Sequence, residues 1–326
     1  MEQRILGRTG RSVGVVGLGA WQLGADWGEV TDEAAFAVLT ASVESGVTFV
    51  DTADVYGDGR SEKLIARFRA ETAASITVAT KMGRREAQDP ANFTLESFRR
   101  WTDRSRQNLG VDTLDLVQLH CPPDPVFDSP RVFDDLDTLV GEKAIAAYGV
   151  SVETCDQALR AIARPGVASV QIILNMLRRK PLERVLPAAL SAGVGIIARV
   201  PLASGLLSGR YDEHTEFAAD DHRNYNRHGE AFDVGETFSG VDYATGLEAV
   251  RRIRPLTPDG ATTAQFALRW ILDQPGVSVV IPGARTADQA RANTAAAGLP
   301  ALERSTVDAV AGIYDELVRP AIHDRW

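Results

Sequence analysis

Four side chains of complementary chemistry fall where apolar runs end: Asp51, Tyr56, Lys81 and His120. The β-favouring run that includes Phe49 and Val50 delivers Asp51, and a glycine-rich turn carrying Asp54 and Tyr56 follows it. The run SITVATK (75–81) ends in Lys81, and TLDLVQLH (113–120) ends in His120. A tyrosine is a poor acid near neutrality, because its ordinary pKa is about 10. A neighbouring ammonium favours the phenolate and lowers that value. A carboxylate beside the ammonium lets a charged lysine survive partial burial. Lys81 and Asp51 suit those two parts, which makes Tyr56 a tuned proton donor. His120 can orient a carbonyl oxygen or help pass a proton. Taken singly, each residue has a plainer reading: a turn cap, a packed ring, a solvated strand end, a structural hydrogen-bonder. Together, at consecutive strand ends, they are hard to explain as packing. Asp54 is expected to stabilise the loop.

The elements that must position these groups follow from the pattern of apolar runs. Eight short runs, at 13–19, 47–53, 75–81, 113–120, 144–152, 168–175, 193–201 and 276–283, alternate with helical stretches. Continuous apolar runs of this length suit parallel strands buried on both faces. Between the first two, Phe36, Leu39 and Val43 share a helical face, with Thr31 as N-cap and Gly46 as stop. Phe98, Trp101 and Leu109 mark a second helix ending at Gly110, and Phe266, Trp270 and Ile271 a third that stops at Pro275-Gly276. Eight βα units over 1–326, taken as one domain, predict a (β/α)8 TIM barrel. The competing doubly wound sheet would show GxGxxG between strand and helix. Here Gly17-Leu18-Gly19 runs instead into a long loop. In a barrel, active sites sit at the C-terminal ends of the strands, which is where the four residues lie. The long stretch after the seventh strand, 208–244, is expected to act as a lid. Its cluster His222, Arg223, Asn224, Tyr225, Asn226, Arg227 and His228 could order over phosphates or hold an anionic or polyhydroxy substrate.

Composition narrows the function classes. The net charge of −9 argues against a nucleic-acid binder. No apolar run is long enough for a membrane span, and the N-terminus lacks a signal-peptide pattern. Two cysteines, Cys121 and Cys155, are too few for a disulfide scaffold and suit a reduced, cytoplasmic setting. The histidines show no metal-ligand spacing, so no metal is expected. No apolar stripe marks an interface, and a monomer is the default.

The ordered series LGRTGRSVGVVGLGAWQLG, DTADVYGDGRSE, VATKMG, LDLVQLHCP, YGVS, VQIILN, PLASGLLSGRY and IPGARTADQARAN spans nearly the whole chain. In this the sequence resembles the aldo-keto reductases. The resemblance implies the barrel, with an N-terminal β-hairpin, and a catalytic tetrad at Asp51, Tyr56, Lys81 and His120. It implies hydride transfer from a nicotinamide to a carbonyl carbon while the tyrosine protonates the oxygen. The substrate would be an aldehyde, a ketone, or, in the reverse direction, a sugar or polyol. Gly19, Trp21 and Asp51 would border the cofactor, and Ser151 and Gln171 would hold its carboxamide. The asparagine expected after Ser151 is Val152 here. Pro201, Leu202, Ser204, Gly205 and Leu207 would follow the pyrophosphate, with small residues letting backbone amides approach the anion. Gly283, Arg285, Gln289 and Asn293 would grip the 2′-phosphate and adenine, so NADPH is expected over NADH; Arg285 suits a phosphate because its fork binds two oxygens. Many family members have an aromatic where Arg199 stands. Its guanidinium plane could stack on the nicotinamide and disfavour the cationic oxidised ring. Trp21, Trp27, Tyr56 and His120 would wall the substrate. The family also resembles potassium-channel β-subunits, so a cofactor-sensing regulatory subunit is the alternative function.

Overall fold

The computed structural model describes residues 1–24 and 30–326. Strands β1 (Gln3–Ile5) and β2 (Ser12–Gly14) form an antiparallel hairpin. The eight parallel strands are β3 (Leu18–Gly19), β4 (Phe49–Asp51), β5 (Thr77–Met82), β6 (Leu116–His120), β7 (Tyr148–Ser151), β8 (Val167–Ile173), β9 (Gly195–Arg199) and β10 (Val277–Val280), each paired with its sequence neighbour. Bridges Val16–Val280 and Gly19–Gly283 join the last strand to the first, so the sheet closes into a barrel. The expected strand at 13–19 is in fact divided. Ser12–Gly14 belongs to the hairpin, and only Leu18–Gly19, with the Val16 bridge, joins the barrel.

Strands β4 to β10 are buried at every position, which is why they read as unbroken apolar runs. The hairpin seals the lower end. Leu6 and Val13 pack with Phe49, Ala79, Leu116, Ile197 and Val279 in a core inside the barrel. Arg8 fastens it there, its Nη1 donating to the carbonyls of Pro165 (2.7 Å) and Val167 (3.0 Å) and its Nη2 to that of Ala192 (2.9 Å). Gly7 has φ +47°, and a Cβ on it would fall 2.0 Å from the nitrogen of Gly195, so no larger residue fits.

Around the barrel lie α1 (Asp32–Glu44), α2 (Arg60–Thr72), α3 (Leu95–Leu109), α4 (Pro130–Gly141), α5 (Cys155–Ile162), α6 (Val185–Ala192), α7 (His222–Tyr225), α8 (Tyr243–Ile253), α9 (Thr263–Leu272), α10 (Ala287–Ala295) and α11 (Arg304–Ile313). The boundary signals act as expected. Thr31 accepts the Ala34 N–H at 3.2 Å, and α3 stops at Gly110 in the left-handed region. Thr262 and Gln265 close a capping box on α9. Burial of Phe98, Trp101, Phe266 and Trp270 against the outside of the sheet stabilises by about 1.5–3 kcal/mol per large apolar side chain. Among the described residues no helix is long and apolar enough to cross a membrane.

The 208–244 stretch is folded. Asn226 organises it from a fully buried position: its Oδ1 accepts from the amides of Ala231 (2.8 Å) and Phe232 (2.9 Å), and its Nδ2 donates to Thr237 Oγ1. Trp326 anchors the far side, with Arg178 stacked 3.7 Å above its ring and its Nε1 donating to Asp233 Oδ1 at 3.1 Å.

Candidate active site

Strand ends β4, β5 and β6 bring the four predicted residues together. Lys81 is buried, and its Nζ donates to Asp51 Oδ2 at 2.5 Å, to the Thr52 carbonyl at 2.9 Å and to Tyr56 Oη at 3.3 Å. All three ammonium protons are thereby directed. Asp51 Oδ1 accepts from the side-chain amides of Gln118 (3.1 Å) and Gln171 (2.7 Å). The ring of His120 stands edge-on to that of Tyr56, centroids 6.0 Å apart. Tyr56 and His120 line a cavity of about 940 Å³, and Lys81 lies behind them.

The electrostatics differ in one respect from the sequence expectation. Burial opposes the charge on Lys81, but Asp51 and then Tyr56 more than offset it, so the ammonium is held above its ordinary pKa. Tyr56, expected to be lowered, is raised: burial outweighs the pull of Lys81, and Asp51 opposes that pull as well. A raised tyrosine stays protonated throughout the neutral range, ready to donate. Burial, with help from Arg84, Lys81 and Arg199, pushes His120 well below its ordinary value, so the imidazole is neutral. Its Nδ1 is buried without a hydrogen-bond partner among the described residues. Asp54 is fully buried beside Glu62, neither oxygen has a hydrogen-bond partner among the described residues, and burial first and Glu62 second push its pKa up to about 7.

A second group of charges, not anticipated as a group, stands next to His120. Arg199 at the end of β9 donates through Nη2 to Glu153 Oε2 (2.9 Å) and the Val152 carbonyl (3.0 Å), and its Nη1 lies 2.5 Å from Glu236 Oε1. Arg84 donates to Glu153 Oε1 at 3.1 Å. Burial opposes ionisation of Glu153, yet Arg199 and Arg84 bring it below its ordinary pKa; at Glu236 burial dominates and the value lies above. Arg199 borders the cavity as expected, but two carboxylates offset its charge. This weakens the expected repulsion of an oxidised nicotinamide. The Val152 carbonyl, in the place of the missing asparagine, is taken by Arg199. Cys121 Sγ, Glu153 and Glu236 offer ligand atoms within 4.8 Å of one another. Arginines already occupy both carboxylates, and burial pushes the thiol up to about 12.

The loop after β9 is bent sharply. Val200, Ala203 and Ser204 have φ of 50°, 47° and 55°, which is unusual outside glycine and strained for a β-branched valine. Pro201, Leu202, Ser204 and Gly205 border the cavity. Leu207 does not. Its side chain is fully buried in the core, and its amide is spent on the Leu202 carbonyl at 3.1 Å. Ser204 Oγ donates to the Glu236 carbonyl (2.9 Å) and accepts the Phe238 N–H (3.1 Å), tying this loop to the 208–244 stretch. Of the 222–228 cluster, His222 and Arg223 reach the cavity. Asn226 is spent internally, Arg227 packs over Phe217, Phe238 and Tyr243, and Asn224, Tyr225 and His228 are on the surface. Trp21 stacks with Tyr56 (6.1 Å) and meets His222 (5.2 Å) and Phe232 (6.1 Å). Trp27 lies outside the described residues.

Ser151, Gln171, Gly19, Gly283, Arg285, Gln289 and Asn293 all border the same cavity. Gln289 Oε1 accepts the Arg285 N–H at 2.7 Å, and Asn293 Nδ2 donates to the Gly283 carbonyl at 3.1 Å, which shapes the entry to α10. Two further arginines, Arg210 and Arg254, border this end. Among the described residues the guanidinium groups of Arg210, Arg254 and Arg285 have neither ion pair nor hydrogen bond. Three unpaired guanidiniums at one end of a cavity suit a phosphorylated ligand. Sequence reading missed Arg84, Gln118, Glu153, Arg210, Glu236 and Arg254. Of these, only Arg210 had a signal, following directly on the loop SGLLSG.

The profile of the Aldo/keto reductase family matches residues 15–315. Aldo-keto reductase YhdN of Bacillus subtilis is 30% identical over 307 residues, covering 90% of this chain and 87% of that protein. Aldo-keto reductase yakc [NADP(+)] of Schizosaccharomyces pombe is 27% identical, covering 84% of this chain and 81% of its own. Among solved structures, the glycerol dehydrogenase AKR11B4 from Gluconobacter oxydans superposes with a TM-score of 0.78 at 28% identity, covering 99% of this chain and 97% of that one. With the closed barrel, the lysine-linked tyrosine and these likenesses, the chain belongs to the aldo/keto reductase family.

Proposed function

We propose that the protein reduces an aldehyde or ketone to the alcohol, reversibly, with NADPH as reductant. The observation that carries this is the position of Lys81 Nζ between Asp51 Oδ2 and Tyr56 Oη at the wall of the cavity. When bound, a reduced nicotinamide supplies hydride to the carbonyl carbon. The residues of this chain supply the rest. Tyr56 donates its proton to the carbonyl oxygen as the C=O π bond breaks, and the charged lysine stabilises the phenolate left behind. Neutral His120 faces the same oxygen and orients it. Gln171 gives its amide N–H to Asp51, which leaves its carbonyl oxygen to accept from a carboxamide. Arg210, Arg254 and Arg285, held by no carboxylate among the described residues, suit the additional phosphate of NADP; the NADP(+) in the name of the fission-yeast relative supports the same choice.

The test follows nicotinamide absorbance with wild type and Tyr56→Phe. The variant is expected to lose roughly 10²–10⁴-fold in kcat while binding NADPH as tightly as wild type. Full turnover in Tyr56→Phe would remove the tyrosine from its role. A wild type that binds NADPH but reduces no carbonyl would favour a cofactor-sensing role instead.

A further inference from the structure

The turn that carries Tyr56 is braced by two arginines, and a buried acid sits at its start. Gly57, Asp58 and Gly59 have φ of 58°, 52° and 91°, an uncommon backbone for Asp58. Arg104 of α3 donates through Nη1 to the Asp54 carbonyl (3.2 Å) and through Nη2 to the carbonyl and Oδ1 of Asp58 (2.8 and 2.9 Å). Arg85, just after β5, pairs with Asp58 Oδ1 as well. The Asp54 amide donates to the Lys81 carbonyl at 3.2 Å, so the turn is tied to the lysine that meets the Tyr56 hydroxyl. The carboxyl of Asp54 makes none of these contacts. It is fully buried and has no hydrogen-bond partner among the described residues. Three charged groups from three elements act on it: Glu62 of α2, Arg104 of α3 and Arg85. Burial and Glu62 oppose its ionisation, while Arg85, Arg104 and the Val55 amide favour it. Glu62 itself is engaged at both oxygens, by Thr80 Oγ1 (2.6 Å) and Asn108 Nδ2 (2.8 Å).

We infer that Asp54 is a positioning residue for Tyr56: when its carboxyl ionises, Arg85 and Arg104 turn from Asp58 towards it, and the turn that aims the tyrosine loosens. This rests on the reductase reading above, in which Tyr56 donates the proton. The direction follows from unequal costs. A carboxylate buried without a donor is expensive. A pair with Asp58 is worth little, because that side chain keeps 74% of its surface. Both guanidiniums already stand near the Asp54 carbonyl, at 3.2 and 3.5 Å, so the shift is short. While Asp54 is neutral, the arginines stay on Asp58 and hold the Tyr56 hydroxyl against Lys81. Asp54 titrates at about 7, whereas burial holds Tyr56 protonated to above its ordinary value. A loss of rate through neutrality is therefore assigned to the acid under the turn and not to the tyrosine.

The experiment measures the single-turnover rate of NADPH oxidation by 4-nitrobenzaldehyde from about pH 5.5 to 9, for wild type, Asp54→Asn, Glu62→Gln and Arg85→Met. Tryptophan fluorescence, to which Trp21 stacked on Tyr56 contributes, is followed over the same range without substrate. The wild-type rate is expected to fall roughly 10–100-fold as pH rises through about 7, the scale of a misplaced reacting group, and to return when the pH is lowered again. Asp54→Asn, which mimics the neutral acid, should show no such fall. Glu62→Gln removes a repelling charge and should move the midpoint to lower pH. Arg85→Met removes an attracting one and should move it higher, with a lower rate at every pH. A purely structural role for Asp54 would not shift the midpoint in opposite directions. A fall that persists in Asp54→Asn, or midpoints that ignore Glu62 and Arg85, overturns the inference and leaves the reductase intact. A wild type that binds NADPH but never oxidises it sinks the reductase reading. The fluorescence then decides the inference alone: a transition near pH 7 that Asp54→Asn lacks upholds the moving turn, and a flat signal in wild type rejects it.

Discussion

The two ends of the cavity hold their cations in opposite ways. At the Tyr56 end, Lys81 is locked by Asp51, Thr52 and Tyr56, and Arg199 by Glu153, Glu236 and Val152. At the far end, Arg210, Arg254 and Arg285 engage no carboxylate among the described residues. A cation satisfied inside the protein acts by its field, tuning neighbours such as Tyr56 without contacting the ligand with its full charge. A cation left open acts by binding. Under the proposed function, the same residue types would serve proton chemistry in one place and anchoring in the other, and the pairing would distinguish the two roles.

Lys81→Met tests the locked end most severely. It strands the buried Asp51 carboxylate, and breaking a buried pair in this way costs about 3–5 kcal/mol. Thermal unfolding is expected at a clearly lower temperature, with reductase turnover lost in the fraction that remains folded. Unchanged stability would mean that the pair is not part of the folded framework. Arg285→Ala tests the open end. Removing it is expected to weaken NADPH roughly 10–100-fold, in line with the loss of charged hydrogen bonds to a phosphate. Stability and NADH affinity should stay as they were, as read by fluorescence titration with the two cofactors. Equal losses for NADPH and NADH would sever Arg285 from the extra phosphate.

Asp54 sharpens the comparison from a third side, as a buried acid with no cation locked onto its carboxyl among the described residues. Its folded pKa of about 7 lies above its ordinary 3.8, so the folded state holds this proton more tightly than the unfolded chain. Wild-type stability should therefore decline as pH rises from about 4 to about 7, and the loss is complete above the folded value. Asp54→Asn mimics the protonated acid. It is expected to gain on the order of 1–3 kcal/mol over wild type at pH 8, with the advantage vanishing near pH 4. Denaturant titrations at the two pH values measure it, and an equal difference at both would show that proton linkage is not the cause.

The locked end was partly legible in the sequence. Asp51 and His120 end their strands and Lys81 lies one residue before the end of its own, each after a mainly apolar run, and Tyr56 sits one short turn after Asp51, so barrel geometry alone brings them together. Gln118 was invisible because it lies inside an apolar run and reads as an interruption, although its amide supports Asp51. Glu153, Glu236 and Arg84 come from three different loops, and nothing local marks them; only the folding of the 208–244 stretch sets Glu236 against Arg199. That stretch read as a structureless lid because its order depends on Asn226, one buried amide satisfying distant backbone groups. The tuning of Tyr56 was misread in direction because burial, which a sequence does not reveal, exceeds the lysine's pull.

The hairpin that seals the barrel's lower end also fixes where the chain can be held. Met1 lies beside Gly14 and Gly46, at the end of the barrel where the strands begin, while the cavity opens where they finish. A surface or carrier attached through Met1 would therefore grip the closed base and leave the mouth facing solution. Arg8, fastening the hairpin to carbonyls near three separate elements, would carry the load of that attachment into the barrel.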